Sequence, residues 1–317
     1  MDKNSYSPSF EANELEGLAN QLITRSYRPV TILNYQHRVR GFAMFLDQLK
    51  VSRTMPVPSY YVALYIAKLV KEGYAPGTIR LAVSAISWFH RMSNLSDPTV
   101  TPAIQRMLIG TKRAAPPPKK LLPITRSLLF LMLSKVSLLV LSDFEQKLTK
   151  ALLLLGYHSC ARVGELLVSS NADHTLRIEN LSFKKVNNSL SIRFVLPSFK
   201  HSKEETDFVL EPAVDPTWCP VRHLFSYLEA RGTSPGILFL NATGIPVKRD
   251  FLAKQIHSLA GLLGLEKDKY NTHSLRIGRT TDMAEQGENE TTIKRTGRWN
   301  SSAYLGYVRC VSFVLPK

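Results

Sequence analysis

Along most of this chain apolar residues recur every three or four positions, the period of a helix that packs on one side. From Glu11 to Arg25 the pattern is helical. A second helix follows Pro29, which suits the first helical position because its missing N–H would be unpaired there anyway. Ile32, Val39, Phe42, Phe45, Leu46 and Leu49 make its apolar stripe, with His37, Arg38 and Arg40 toward the other side. Ser59 is expected to cap a third helix over Tyr60 to Lys71, stopped by Gly73. Pro76-Gly77-Thr78 opens a fourth over Ile79 to Met92, with Leu81, Ala85, Trp88 and Phe89 inward and Arg80, His90 and Arg91 facing out. A shorter fifth helix covers about Pro102 to Leu108. Residues 11–111 therefore read as an all-helical unit with basic edges, after a lead-in over 1–10 expected to be disordered.

The period breaks at Lys112-Arg113-Ala114-Ala115-Pro116-Pro117-Pro118-Lys119-Lys120. Three prolines make a stiff, extended spacer. Residues 112–122 read as a linker whose cations, Lys119 and Lys120 among them, can lie along a phosphate backbone; a nuclear-import signal is the other reading of the same residues. Helical pattern resumes from Thr125 through Leu139 and from Asp143 to Tyr157. Leu190–Leu196 and Asp207–Leu210 alternate in strand period, joined by the basic connection Pro197–Lys203, which predicts a small antiparallel sheet. Helices over Val221 to Arg231 and Arg249 to Leu263 follow, ended by Gly232 and Gly264. The fold expected is mainly α with a small antiparallel β-sheet: a helical domain, then an α+β domain over 123–317.

Composition narrows the partners. The 317 residues are 44% hydrophobic and carry 41 Lys and Arg against 25 acids, a net charge of +16. Such a chain buries real cores and is not a disordered polyelectrolyte. The excess is spread along the chain rather than confined to one amphipathic helix, which favours nucleic acid over a membrane surface. Leu128 to Leu141 is the richest apolar run, but Ser134 and Lys135 interrupt it, so a buried helix is expected rather than a span. The polar N-terminus carries no signal-peptide pattern. Cys160, Cys219 and Cys310 are too far apart for a zinc or disulfide framework and read as reduced core residues.

Candidate chemistry gathers between Tyr270 and Arg309. His273 and Arg276, three apart on a helix, can address one small anionic target. Gly297-Arg298-Trp299 follows, then Tyr304 and Tyr307. Arg162 stands after the turn of GYHSCARVGELL, with Glu165 three residues on. If Arg162 meets His273 and Arg276 in space, two guanidiniums grip the non-bridging oxygens of one phosphate and stabilise the charge that grows there. A tyrosine could then attack phosphorus in line, and Lys200 or Lys203 could protonate the leaving oxygen. Such a site needs neither metal nor nucleotide. Spacing alone does not select this chemistry, because HxxR is a weak signal.

The combination is more specific. Arg162-Val163-Gly164-Glu165, a lysine between the strands, His273-Ser274-Leu275-Arg276, Gly297-Arg298-Trp299 and Tyr307-Val308-Arg309, in that order, resemble the tyrosine recombinase (phage integrase) family. The HSLRIGRTTDMAEQG run and the GRW…YVR ending are similar to Cre recombinase and, more closely, to the recombinases of DIRS-type eukaryotic retrotransposons. The resemblance spans nearly the whole chain. It implies a core-binding domain before the linker and a catalytic domain after it, together clamping double-stranded DNA as a homotetramer on two sites, without membrane association. It implies phosphate-binding roles for Arg162 and Arg276, with Glu165 in support, and His273 as the motif histidine. Trp299 would stand where many members have a second histidine; indole donates one hydrogen bond but takes no proton. Tyr307 matches the nucleophile by its context, though its distance from Trp299 is one residue short, which keeps Tyr304 as the alternative. Lys200 is preferred over Lys203 as the acid. Arg38, Arg40, Arg80, Arg91, Lys119 and Lys120 are the expected DNA contacts. The function implied is site-specific DNA recombination through a 3′-phosphotyrosine, the alternative being a non-catalytic DNA-binding descendant. Nuclear localisation is expected if the chain belongs to a eukaryotic mobile element, cytoplasmic otherwise.

Overall fold

The computed structural model describes residues 10–51, 54–117, 119–168, 175–186, 189–196 and 206–309. The chain divides into two units, Met1–Pro118 and Lys119–Lys317.

The first unit is helical: α1 (Phe10–Ser26), α2 (Pro29–Gln48), α3 (Ser59–Lys71), α4 (Pro76–Met92) and α5 (Pro102–Ala114). Its core joins Phe42, Phe45 and Leu46 of α2 to Val62, Tyr65, Ile66 and Leu69 of α3, Ile79, Val83 and Ile86 of α4, and Ile104 and Leu108 of α5. The Tyr65 ring lies 5.1 and 5.2 Å from Phe42 and Phe45. Several expectations change. Ser59 is not a cap: α3 starts at Ser59 itself, because Pro58 already holds the extended backbone that leads into the helix (φ −58°, ψ 139°). His90 does not face out. It lies on the stripe Ile79, Val83, Ile86, His90, and is 1% exposed. Its Nδ1 is 2.8 Å from the Ile86 carbonyl, and Nε2 accepts from Val57 N at 3.2 Å. Leu81 falls off that stripe and is exposed, as is Leu49 beyond the end of α2. The fifth helix runs to Ala114, so Lys112 and Arg113 close a helix rather than begin the linker; Ala115, preceding Pro116, turns extended.

The second unit surrounds α7 (Asp143–His158). Its start is fixed by a capping box, Ser142 Oγ accepting from Glu145 N at 3.2 Å while Glu145 accepts from Ser142 N at 2.9 Å. From Ala151 to Tyr157 every residue is buried, so this helix is apolar all round and packs on all sides. Around it stand α6 (Arg126–Lys135), the single turn α8 (Val163–Leu166), α9 (Pro220–Arg231), α10 (Arg249–Leu262), α11 (Thr272–Glu285) and α12 (Glu290–Gly297). The apolar run after Leu128 is helical only to Lys135 and then a 3-10 turn; Leu138 and Val140 are exposed. Among the described residues no helix is long and apolar enough to cross a membrane. Cys160 and Cys219 are buried and free, whereas Cys310 lies outside the described residues, like the lead-in before Phe10.

The sheet is antiparallel, in the order β1 (Leu181–Val186), β2 (Ser189–Leu196), β3 (Thr206–Leu210). Ile192 pairs with Leu210 and Phe194 with Phe208; Ile192, Phe194, Leu196 and Leu210 turn one face into the core. The β2–β3 connection carrying Lys200 and Lys203 lies outside the described residues.

Candidate functional site

The end of α7 positions the first element. Ser159 N still bonds to the Leu155 carbonyl, but Cys160 enters the left-handed region (φ 51°) and the helix stops. Arg162 follows at the cap position of α8, in extended backbone. Glu165 curls back onto it: its carboxylate accepts from Arg162 N at 2.9 Å and from Arg162 Nη1 at 3.2 Å. A second cation meets the same carboxylate, Arg298 Nη2 at 2.6 Å, so the buried Glu165 joins two arginines.

Arg298 comes from the far end of α12. The helix closes with Arg298 at φ 57°, while Trp299 N reaches back to the Lys294 carbonyl at 2.9 Å. Gly297 is required here. A Cβ on it would fall 1.6 Å from the Trp299 ring, so glycine lets the indole fold back over the helix end. That indole covers Arg276, whose guanidinium carbon is 4.1 Å from the ring centroid. Arg276 is 1% exposed, the bulkiest of the fully buried side chains among the described residues. It donates from Nη1 to the Cys160 carbonyl and from Nη2 to the Gly297 carbonyl, tying the α7 terminus to the α12 terminus. Cation–π contact and two carbonyls hold its charge away from water.

α11 supplies His273 and Arg276. Asn271 caps it, accepting from Thr272 N at 2.7 Å. The helix is polar in sequence yet buried from Ser274 to Gly278 and from Thr280 to Met283. The His273 ring stands 5.1 Å from the Tyr307 ring, and Tyr307 in turn lies 4.9 Å from Trp299 and 5.3 Å from the Arg276 guanidinium. Burial, followed by the charges of Arg276, Arg162, Arg249 and Arg309, holds the His273 pKa below its ordinary value, which favours neutral imidazole near pH 7. Tyr307 caps the 3-10 turn Ser302–Gly306, and its carbonyl accepts from Thr281 Oγ1 at 3.3 Å, fixing the tail to α11. Arg162, Arg298, Trp299, Asn300, Ser301, Ala303 and Tyr307 line a cleft of about 430 Å³.

The residues singled out in the sequence thus separate. Arg162, Glu165, His273, Arg276, Trp299 and Tyr307 converge. Tyr304 is buried against Cys160, Met283, Ile293 and Trp299, in an apolar cluster rather than on the cleft lining. Lys200 and Lys203 lie outside the described residues. In the first unit Arg40, Arg80 and Arg91 are exposed and Arg38 half-buried. Arg91 is held by Asp97 at 2.8 Å. Arg80 and Arg91 line a separate cleft of about 380 Å³ with Tyr27, Tyr35 and Trp88. Lys119 and Lys120 are exposed, Lys119 lying 3.6 Å from Asp268. Arg298 is the member that sequence reasoning passed over. In the sequence it stands only as the middle of the Gly297-Arg298-Trp299 run, with nothing to mark it as reaching Glu165.

Residues 15–93 match the family described as phage integrase, N-terminal SAM-like domain. No curated protein sequence matches the chain. Among solved structures, the chain is similar to the XerH site-specific recombinase bound to difH substrate, with TM-score 0.62 and 13% identity over 88% of this chain and 76% of that one. It is similar to the Tn1549 transposon integrase in complex with circular intermediate DNA, with TM-score 0.58 and 17% identity over 93% and 94%. A lambda integrase dimer bound to a COC′ core site gives TM-score 0.57 and 12% identity over 92% and 75%.

Proposed function

Since the chain has the tyrosine-recombinase fold and carries a phage integrase N-terminal SAM-like domain, we propose that it is a site-specific DNA recombinase or integrase. The observation that carries this reading is the convergence of Tyr307, His273 and Arg276 beside a cleft lined by Arg162. The phenol of Tyr307 attacks the scissile phosphorus. The bond from phosphorus to the 5′ oxygen breaks, and a 3′-phosphotyrosine forms. Neutral His273 accepts the phenol proton, and Lys200 or Lys203 protonates the departing 5′ oxygen. Arg162 and Arg276 stabilise the charge on the non-bridging oxygens, the task a metal would otherwise perform. The phosphotyrosine keeps the energy of the broken bond, so a 5′-hydroxyl from a partner duplex can reverse the step without ATP. Double-stranded DNA is the substrate, and two sites joined by four copies of the chain complete the exchange.

For Arg276 to reach a phosphate, Trp299 and Tyr307 must first move off its guanidinium. That coverage also favours a second reading, a non-catalytic protein that keeps only the grip on DNA. Denaturing capture on nicked suicide duplexes, with DNA flanking its own gene, separates the two. The recombinase reading expects a detergent-stable protein–DNA adduct that persists in Tyr304→Phe and is lost in Tyr307→Phe. Ordinary binding without any adduct overturns it.

A further inference from the structure

Arg298 reaches the site through Glu165 and the cleft lining without being one of its expected members. Its side chain is 3% exposed and reaches the Glu165 carboxylate at 2.6 Å, the same carboxylate that holds Arg162. Its guanidinium lies 5.0 Å from the ring of Phe208, on the strand that follows the lysine-bearing connection. Its backbone, left-handed at φ 57°, aims Trp299 at Arg276. A left-handed non-glycine residue costs about 1–2 kcal/mol. Nothing in the helix end demands an arginine rather than glycine or asparagine there, so the side chain is the part that needs explaining.

We propose that Arg298 is a positioning residue: through Glu165 it fixes the Arg162 guanidinium against the scissile phosphate. The proposal rests on the recombinase reading above. The physical reason is a division of labour around one carboxylate. Glu165 paired only with Arg162 would neutralise the charge that Arg162 has to present to phosphate. A second, buried cation on the same carboxylate shares that negative charge and leaves Arg162 with a net positive field toward the cleft. It also locks the carboxylate rotamer, and with it the direction of the Arg162 fork. Arg162 and Arg298 both line the cleft, but the Arg162 side chain is 34% exposed and the Arg298 side chain only 3%, so Arg162 is the cation that solvent and a phosphate can reach.

The test is single-turnover cleavage by full-length wild type, Arg298→Asn, Arg298→Lys and Arg162→Ala on two suicide duplexes. One carries the ordinary scissile phosphate, the other a neutral methylphosphonate. Asparagine tolerates the left-handed backbone, so the α12 end is kept. On the phosphate duplex Arg298→Asn is expected to cleave about 100-fold more slowly than wild type, the scale of a misplaced catalytic group, with DNA affinity within about 3-fold. On the methylphosphonate duplex, where there is no anionic charge to stabilise, Arg298→Asn and Arg162→Ala both return to within about 3-fold of wild type on that duplex. Arg298→Lys falls between on the phosphate duplex. Equal slowing of Arg298→Asn on both duplexes while Arg162→Ala is rescued means that Arg298 only supports the fold, and overturns the proposal; so does unchanged cleavage of the phosphate duplex. If Arg298→Asn does not fold, the comparison of the two duplexes with Arg298→Lys decides in the same way. Absence of any wild-type adduct would instead sink the recombinase reading itself.

Discussion

His158, the last residue of α7, packs its ring 5.3 Å from Tyr157 and 5.1 Å from Trp218, and its Nε2 is buried without a hydrogen-bond partner. Burial first, then the charges of Arg279 and Arg126, bring its pKa down to about 4. The folded state therefore binds fewer protons than the unfolded chain between about 6.5 and 4. Stability is full above that window and is lost as pH falls through it, by an amount on the order of 3 kcal/mol. Urea titrations at a series of pH values should show a slope that His158→Gln flattens. Asp282 is a control on the sign. Burial pushes its carboxyl up, and it accepts from Tyr157 Oη at 2.5 Å and from Arg126 N at 2.7 Å. Its contribution runs opposite, lost as pH rises, and the His158 variant leaves it in place. Sequence reasoning does not reach this scale well. Periodicity identifies which face a residue takes, but it expects polar residues outside. His90, Asp282 and Arg298 are buried and His158 half-buried, packed or hydrogen-bonded by residues far along the chain, Val57 for His90, Trp218 for His158, Tyr157 for Asp282 and Glu165 for Arg298. That His273, Arg276 and Tyr307 stand near one another in space was suggested by several weak motifs in one order, and the fold does bring His273, Arg276, Trp299 and Tyr307 within ring-contact distance.

At the scale of elements, α11 is the piece that a local rule misjudges most. Its sequence is polar enough for a surface helix, yet it crosses the second unit with its middle buried. Contact with the extended segment before α6 fixes its depth: Ile124 N bonds to the Ser274 carbonyl at 2.9 Å, and a Cβ on Gly278 would sit 1.8 Å from the Ile124 carbonyl oxygen. Gly278→Ala must push the helix away from that backbone, and its cost is expected at about 3 kcal/mol, the upper range for overpacking. Gly77→Ala, where a Cβ meets nothing within 4 Å, should leave the denaturation midpoint unchanged or slightly raised. Chemical denaturation of both variants checks the contrast. Most helices were readable because Pro, Gly and capping residues punctuate them. β1 was not, because Ser182 through Lys185 are exposed and no apolar alternation marks the strand. Its existence depends on β2, which it pairs from Leu181↔Phe194 to Val186↔Ser189. The end of α5 was missed for a related reason: the apolar stripe stops at Leu108, but the helix continues on residues that only need to be helical, not buried.

For the whole molecule, charge is the property that the sequence states most directly. A net +16 predicts that non-specific duplex binding is driven by displaced counterions. Affinity for an arbitrary duplex should fall at least about 100-fold between roughly 50 and 200 mM salt, as measured by anisotropy titration. A salt-independent affinity would mean that the basic residues are merely a solvated surface. Each unit has its own apolar core, Phe42 to Leu108 in one and Ile124 to Leu275 in the other. Both cores were readable in outline from the apolar residues of their helices, but not for α11, whose polar sequence is buried. What could not be read was the placement of cations within the second unit, which depends on two left-handed residues, Cys160 and Arg298, in positions where composition gives no warning.

The indole of Trp299, seated 4.1 Å from a guanidinium and 4.9 Å from a phenol, has an optical consequence. Its excited-state dipole sits in the field of a fixed cation, so its emission wavelength reports whether Arg276 is covered. With Trp88→Phe and Trp218→Phe the chain keeps this single indole. Fluorescence on adding duplex would then follow, in real time, whether the indole leaves Arg276.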